Sequence, residues 1–474
     1  MKKRASLCKQ SGRAPRRKTR SRKTKRISAT QSQDLAANLQ RHLKKLPLEA
    51  LGRASGFRAR RAKKITPALF VQAACLVVTL GLVSYRRWAG LIGLLGQCTL
   101  SKQALFERMS AKAVSFLQSV LGALLATMAV PQGCRLDALR QFRRVVLQDS
   151  TTLRLSEELA RFFPGPKNQR GAQPGMLKIQ ACYDLLSQSF VYFSLSSFRH
   201  NDQAASPEVL SFVQAGDLII RDLGYFVLEV LEQIQVAQAY FLSRLRLGVS
   251  LWEADGRTPV NLLARLRKSG SLDGQFRLGA KKVLVRLVAI RLPAAVAAQR
   301  RAQARQNRDR RSAPSAERLA LLGWALFITN VPATLWSAQT VAQTYGMRWR
   351  IETIFKAWKS HFGLAQVPSA ASKNQVESLI YAKLIFITLF QVCFWQRYSP
   401  GGDTEGRPPL SLLKVAQAAQ SYLLILVLNQ LGIDPLVAWE QLLDTHCRYE
   451  RRTRKHFMQD TQPGRSITGH PKIK

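Results

Sequence analysis

Acidic residues are what this chain most lacks. Its 474 residues carry 28 Asp and Glu against 73 Lys and Arg, giving a formal net charge of +45 and a pI near 11.1. Such an excess repels itself unless a polyanion neutralises it. Nucleic acid is the leading partner, an anionic membrane surface the second, and a ribosomal or packaging role the third. Histidine is also scarce, with 6 residues, and the seven cysteines at 8, 75, 98, 134, 182, 393 and 447 form no CxxC pair. That excludes a zinc module and a disulfide framework, and it predicts a reducing, intracellular setting with the cysteines as small buried apolar residues. Uninterrupted apolar runs are missing too. Pro67–Tyr85 is broken by Gln72, Thr79 and Gly81, Leu379–Trp395 by Lys383 and Gln391, and Tyr422–Ile433 is too short to span. Buried helices account for all three, so no membrane partner is expected. No short apolar segment or small-residue cleavage site follows the basic N-terminus, so a secretory signal is not expected and a cytoplasmic, nucleoid-associated location is. No internal repeat is present, and with 46% apolar residues most of the chain should fold.

Residues 1–30 hold 13 Lys or Arg and no acid, which reads as a disordered arm lying along phosphates or as a solvated tail. Residues 34–140 read as helical. Thr66-Pro67 starts one helix, and Arg86–Leu95, a break at Gly96–Leu100 and a helix capped by Ser101 have the shape of a helix-turn-helix. Lys102, Gln103 and Arg108 would then meet DNA, although any helical bundle has such corners. Near residue 143 the period changes. The expected order is a strand at Val145–Leu147 ending in Gln148-Asp149-Ser150-Thr151, a hairpin of Met176–Asp184 and Phe190–Phe198, and a short helix at Pro207–Ala215. A strand at Asp217–Arg221 ending at Asp222, a helix at Val227–Ala237 and a strand at Ala239–Arg246 follow. That is a mixed α/β core with carboxylates at two strand ends. Residues 247–322 look inserted, with a strand-like Lys282–Ile290 and six Arg in Gln299–Arg311. The core returns over 323–372 with a strand at Trp324–Thr329 and a helix over Thr340–Phe362. Helices follow over 373–450 and a basic tail over 451–474. The expected parts are therefore an arm (1–33), a helical DNA-binding domain (34–140), a core in two pieces (141–246 and 323–372) around an insertion (247–322), a C-terminal helical region and the tail.

Tyr345, Arg348, Glu352 and Lys359 carry the most information. On one helix, at about 100° per residue, they fall within a stripe roughly 60° wide. Met347, Ile351, Ile354, Phe355, Trp358 and Phe362 fill the adjoining arc, which is the buried face. The stripe sets one carboxylate between two cations and a phenol, which suits a metal ion beside a phosphate. A solvated face with an Arg348–Glu352 pair is the plainer alternative. Asp149 and Asp222 shift that balance, because a carboxylate at the end of a buried strand is costly unless it is paired or binds metal. Three carboxylates with no His/Cys cluster favour a hard ion, Mg²⁺ or Mn²⁺. Two such ions about 4 Å apart activate a water or a 3′-hydroxyl and stabilise the leaving oxygen of a phosphodiester.

These residues resemble a known family: the DDE-class insertion-sequence transposases of the group that begins with insertion sequence four. Its mark, Y-x2-R-x3-E-x6-K, falls on Tyr345, Arg348, Glu352 and Lys359 without a gap. Its first aspartate motif matches Asp149-Ser150-Thr151 and its second matches Asp222-Leu223-Gly224-Tyr225; Trp324–Asn330 resembles the family's return from its insertion. The likeness covers residues 35–370. It implies an RNase H-like mixed sheet with a β-rich insertion, flanked by an N-terminal helical domain and C-terminal helices. It also implies cut-and-paste transposition through a DNA hairpin, with Asp149, Asp222 and Glu352 as catalytic metal ligands for two Mg²⁺ ions, Mn²⁺ substituting. Tyr345, Arg348 and Lys359 would hold phosphates. An aromatic of the insertion, Trp252 for preference, would receive a flipped base unless it is simply a core residue. The expected partners are double-stranded DNA, as transposon ends and target, and a second copy of the chain on that DNA. A decayed or non-catalytic DNA-binding relative is the alternative; a plain RNase H-like nuclease and a membrane protein with a basic face are weaker ones.

Overall fold

In a computed structural model, the described residues are 42–58, 64–79, 85–96, 98, 100–127, 137–167, 171–306, 314–368, 371–391 and a few positions between 411 and 417. The expected arm, the tail and the C-terminal apolar run Tyr422–Ile433 lie outside them. The first helices are α1 (Leu48–Ala54), α2 (Pro67–Thr79), α3 (Tyr85–Gly96), α4 (Lys102–Arg108) and α5 (Ala111–Thr127). Ser101 caps α4 by accepting from the Ala104 N–H at 3.1 Å, as its place before the apolar run predicts. On α5, Ala113, Phe116, Leu117, Val120, Leu121, Leu124 and Leu125 recur at helical spacing and are all buried. That face packs on α13 (Lys373–Phe390), a helix buried nearly all round, which is why its sequence tempts a membrane reading. Among the described residues no single helix is long and apolar enough to cross a membrane. The pair α4 and α5 passes by length and composition but is bent by 73°.

Nine strands form one mixed sheet in the order β3-β2-β1-β4-β5-β9-β8-β7-β6. They are β1 (Val145–Leu155), β2 (Gly175–Asp184), β3 (Ser189–Ser197), β4 (Leu218–Arg221), β5 (Tyr240–Arg244), β6 (Leu251–Glu253), β7 (Leu272–Leu278), β8 (Val283–Arg291) and β9 (Trp324–Thr329). The first three are antiparallel neighbours, β4 and β5 then run parallel to β1, and β9 returns antiparallel to β5. This is an α/β fold with a mixed-sheet core of RNase H-like architecture, flanked by helices on both sides of the sequence. Alternation divides the core between two faces. Leu147, Ile220 and Leu242 face α5, α13 and α12 (Trp349–His361). Val146, Ile219 and Phe241 face α7 (Leu228–Val236) and the strands of the stretch 247–322. That stretch supplies β6 to β8 together with α8 (Leu262–Ser269), α9 (Ala294–Arg305) and α10 (Ala316–Leu321).

Two local expectations change. β1 does not stop at Leu147 but runs on through Asp149 to Leu155, because the polar stretch after Leu147 pairs fully with β2 and still alternates toward Leu153 and Leu155. The helix expected over 340–362 is two helices, α11 (Ala338–Gly346) and α12. Between them the N–H groups of Met347, Arg348, Arg350 and Ile351 each donate three residues back, so the chain tightens into a turn.

A buried lysine ties α13 to the end of α12. Lys383 donates to the carbonyls of Gly363 and Gln366, both at 2.6 Å, in the turn just past α12. Burial pushes its ammonium down to about 7. Between that value and roughly 10.4 the unfolded chain binds a proton that the folded one has lost. The burial penalty is thus fully present below about pH 7 and relieved as pH rises toward 10. Relative to Lys383→Met, wild-type protein is expected to gain on the order of 1–2 kcal/mol between pH 7 and 9, read from thermal melts. Parallel curves would place the ammonium's titration elsewhere.

Candidate active site

Sheet register sets two aspartates side by side. In the parallel pair β1·β4, Gln148 lies opposite Arg221, so the next residues, Asp149 and Asp222, leave that rung together. Asp149 continues along β1, while Asp222 turns out of β4 and its carboxylate accepts from the Gly224 N–H at 3.3 Å. Glu352 comes from the first turn of α12. The buried face of that helix holds Ile351, Ile354, Phe355 and Trp358, and the Trp358 ring lies 4.8 Å and 5.8 Å from those of Phe190 and Phe193 on β3. Aromatic packing therefore lays the polar stripe of α12 over the two aspartates.

At the centre sits one guanidinium. Arg348 Nη1 donates to Asp149 Oδ2 at 3.0 Å, Nη2 donates to Glu352 Oε1 at 2.8 Å, and Nε lies 3.4 Å from Asp222 Oδ1. Burial, opposed by Arg348 and by the Ser150 N–H and reinforced by the charges of Asp222 and Glu352, pushes the Asp149 carboxyl up to about 7. Burial works against the Arg348 charge, but Asp222, Tyr345, Asp149 and Glu352 together raise its pKa. Among the described residues, no three His, Cys, Asp or Glu side chains are grouped so as to hold a metal ion. The contacts give the reason: all three carboxylates are turned onto Arg348. The donor set itself, three carboxylates around one cation with oxygen atoms only, is that of a hard divalent ion.

The other expected site residues divide. Tyr345 is buried near Arg348. Its ring lies 5.3 Å from that of Phe327, and burial pushes its pKa to about 12 against the opposing effect of Arg348. It ends α11 with its ring on Phe327 and its hydroxyl beside Arg348. Lys359 lies two turns beyond Glu352 and is exposed, with its pKa lowered by partial burial. Trp252 is on β6, at the far edge of the sheet and six strands from β1. Its ring is covered by the Lys282 ammonium at 4.8 Å, and its indole N–H is buried without a partner. On α4, Lys102 and Gln103 are exposed and Gln103 bonds Glu107. Arg108 turns inward, donating to the Phe57 carbonyl at 3.1 Å and lying over the Phe57 ring.

The sequence reading missed two features. A groove of about 1180 Å³ starts at Asp202 and Gly224 and runs to Leu251 and Asn261 of the inserted stretch, with Arg244 and Arg318 on its walls. Asp202 also bonds Ser150, the neighbour of Asp149, at 2.8 Å. Only the adjacent Asn201, a helix N-cap type, marked that position in the sequence.

Comparison with known proteins places the chain in a family. A family model for the transposase DDE domain matches residues 140–389. The chain is 30% identical over 312 residues to the transposase for insertion sequence element IS231F of Bacillus thuringiensis subsp. israelensis, covering 61% of this chain and 65% of that one. It is 28% identical over 316 residues to the IS231E transposase of Bacillus thuringiensis subsp. finitimus, and 26% identical over 316 residues to the IS1151 transposase of Clostridium perfringens, again covering 61% of this chain and 65% of each relative.

The raised Asp149 pKa has a consequence for stability. The folded state holds a proton on Asp149 between roughly pH 3.9 and 7 that the unfolded state has released, so this residue's contribution weakens as pH rises through that window. In metal-free buffer, Asp149→Asn is expected to melt higher than wild type at pH 7.5 and close to it at pH 4. The opposite order would mean that Arg348 outweighs burial.

Proposed function

The chain belongs to the DDE-domain transposases. On that premise we propose that it cuts and joins DNA at the ends of an insertion sequence of the insertion-sequence-four group, with Asp149, Asp222 and Glu352 as its catalytic carboxylates. The observation that carries this reading is the convergence of three carboxylates, from three separate elements, on the single guanidinium of Arg348. One guanidinium does not offset the mutual repulsion of three carboxylates, and the raised pKa of Asp149 carries part of that repulsion. A site built to exchange that cation for a divalent one accounts for this arrangement.

Asp149, Asp222 and Glu352 would hold Mg²⁺ or Mn²⁺, two ions in the fully loaded site. When bound, these supply an activated water or 3′-hydroxyl and neutralise the leaving oxygen. The chain's own residues do the rest. Arg348, on releasing the carboxylates, presents a planar set of donors suited to a phosphate, and the Tyr345 hydroxyl lies beside it. Lys359, exposed on the same helix, extends the cationic stripe along the DNA backbone. A flipped base could stack on Trp252 only after Lys282 swings off its ring. Affinity for duplex ends and target comes from the +45 charge through release of counterions. Lys102 and Gln103 on α4 are the exposed candidates for base contact.

Asp149→Ala, Asp222→Ala and Glu352→Ala are each expected to abolish metal-dependent nicking and strand joining while leaving duplex affinity within a few-fold of wild type. Gel assays on an end-containing substrate read both. Full cleavage by any one of them in Mg²⁺ would remove it from the catalytic set. DNA binding without cleavage by the wild-type chain would favour a non-catalytic relative.

Joining two ends to one target needs two active sites, so we also propose a homodimer assembled on DNA. Two protomers at +45 repel strongly at low salt, and DNA relieves that repulsion. Light scattering is expected to give a monomer alone and a two-protomer, two-end complex with cognate ends. A stable dimer in low salt without DNA would contradict this order of assembly.

A further inference from the structure

We propose that Asp202 is a positioning residue for the carboxylate cluster, bracing Asp149 and Asp222 together from the opposite face of the sheet. The inference rests on the catalytic reading above and adds to it a residue that touches neither metal nor DNA in that scheme.

Alternation along β1 places Asp149 with Leu147 on the α12 face and Ser150 with Val146 on the other. Asp202 lies on that second face, at the start of the short helix α6 (Asp202–Ala205), capped by Asn201. One of its oxygens, Oδ1, takes three donors: Ser150 Oγ at 2.8 Å, Lys178 Nζ at 2.9 Å and Gln180 Nε2 at 3.3 Å. Lys178 and Gln180 project from β2, where Gln180 stands opposite Ser150 in the register, and the Gln180 side-chain carbonyl accepts from the Tyr225 hydroxyl. Lys178 is almost fully buried, so the charge of Asp202 is matched within the protein. Burial alone would raise the Asp202 pKa, but the Lys178, Ser150 and Gln180 donors bring it below the usual value.

The second contact is steric. Gly224 lies so close to Asp202 that a Cβ there would meet Asp202 Oδ2 at 3.1 Å. Gly224 and Ser150 also share a task. The Ser150 N–H donates to Asp149 Oδ1 at 2.7 Å, and the Gly224 N–H donates to Asp222 Oδ2 at 3.3 Å. Each aspartate is thus oriented by one backbone N–H, and both residues that supply those N–H groups rest on Asp202. Removing Asp202 takes away the side-chain anchor of Ser150 and the packing partner of Gly224, so the strand and loop backbone alone aim the two N–H groups and the carboxylates can shift relative to each other.

The expected effect is on metal affinity. Partners one step behind a metal ligand typically change affinity by roughly 10–100-fold when lost. Mn²⁺ binding to the full-length chain without DNA, followed by the loss of the free-ion EPR signal, reads this directly. Asp202→Ala is expected to weaken Mn²⁺ binding by about 10–100-fold with little change in duplex affinity. Asp202→Asn, which keeps an acceptor for Ser150, should recover part of it. Gly224→Ala presses on Asp202 while leaving every carboxylate in place, and Ser150→Ala removes a single donor. Both should weaken Mn²⁺ binding, and they carry the test if Asp202→Ala does not fold. The control is the triple variant lacking Asp149, Asp222 and Glu352. If that control loses Mn²⁺ while folded Asp202→Asn, Gly224→Ala and Ser150→Ala all bind it like wild type, Asp202 positions nothing and the inference fails alone. If the control binds Mn²⁺ as well as wild type, the carboxylate reading fails and the inference falls with it.

Discussion

One guanidinium shared by three carboxylates is the interaction on which the rest of this architecture turns. Asp149, Asp222 and Glu352 reach one point only because β1, β4 and α12 are each fixed by something unrelated to charge. The strands are held by a parallel ladder, and the helix by Trp358 packed against Phe190 and Phe193. Hydrophobic burial supplies the energy that brings the anions together, and Arg348 makes the result tolerable. Arg348 immediately precedes α12, where it bonds Glu352 four residues on, as neighbours on one helix stripe do, and still reaches both strands.

The sheet divides labour between its faces. One face carries the anions and the helix that covers them. The other carries the neutralised Asp202–Lys178 pair and opens into the groove beside Gly224. A half-buried carboxylate cluster is under pressure to splay, and a brace on its own face would add further charge to it. Bracing from behind, through backbone N–H groups, orients the aspartates without raising the local charge. This explains why a fourth carboxylate is tolerable so near three others.

Much of this was legible in the sequence, and the exceptions share a cause. β4 and β9 were found within a residue of their ends because an unbroken apolar run says the same thing locally and globally. The buried face of α12 was found because Ile351, Ile354, Phe355 and Trp358 repeat at helical spacing. β1 was cut short because Gln148-Asp149-Ser150-Thr151 is locally polar, whereas its pairing is decided by β2, some 30 residues on. The α11–α12 break was missed because Gly346 is tolerated within helices and the turn is stabilised by contacts of Arg348 across the fold. Asp202 was missed for the same reason: its partners Ser150, Lys178 and Gly224 are close only once the sheet exists. Motif spacing reports what one element presents, and it is silent about what stands behind it.

Charge stoichiometry explains why so few acids suffice. In a chain with 73 cationic residues, an acid that serves structure has abundant help. Asp217, fully buried, takes both Arg143 and Arg144. Asp184 is satisfied by the N–H groups of Val145, Leu186 and Ser187 and by the Ser187 hydroxyl. Asp273 has Arg286 to itself. The ratio inverts at the cluster, where three carboxylates divide one guanidinium. A local deficit of positive charge inside a strongly basic protein is not what random pairing produces, and it is electrostatically unfavourable unless another cation completes it. On the proposed function a divalent cation would complete this cluster, and the cationic surface around it would bring the DNA backbone to that cation.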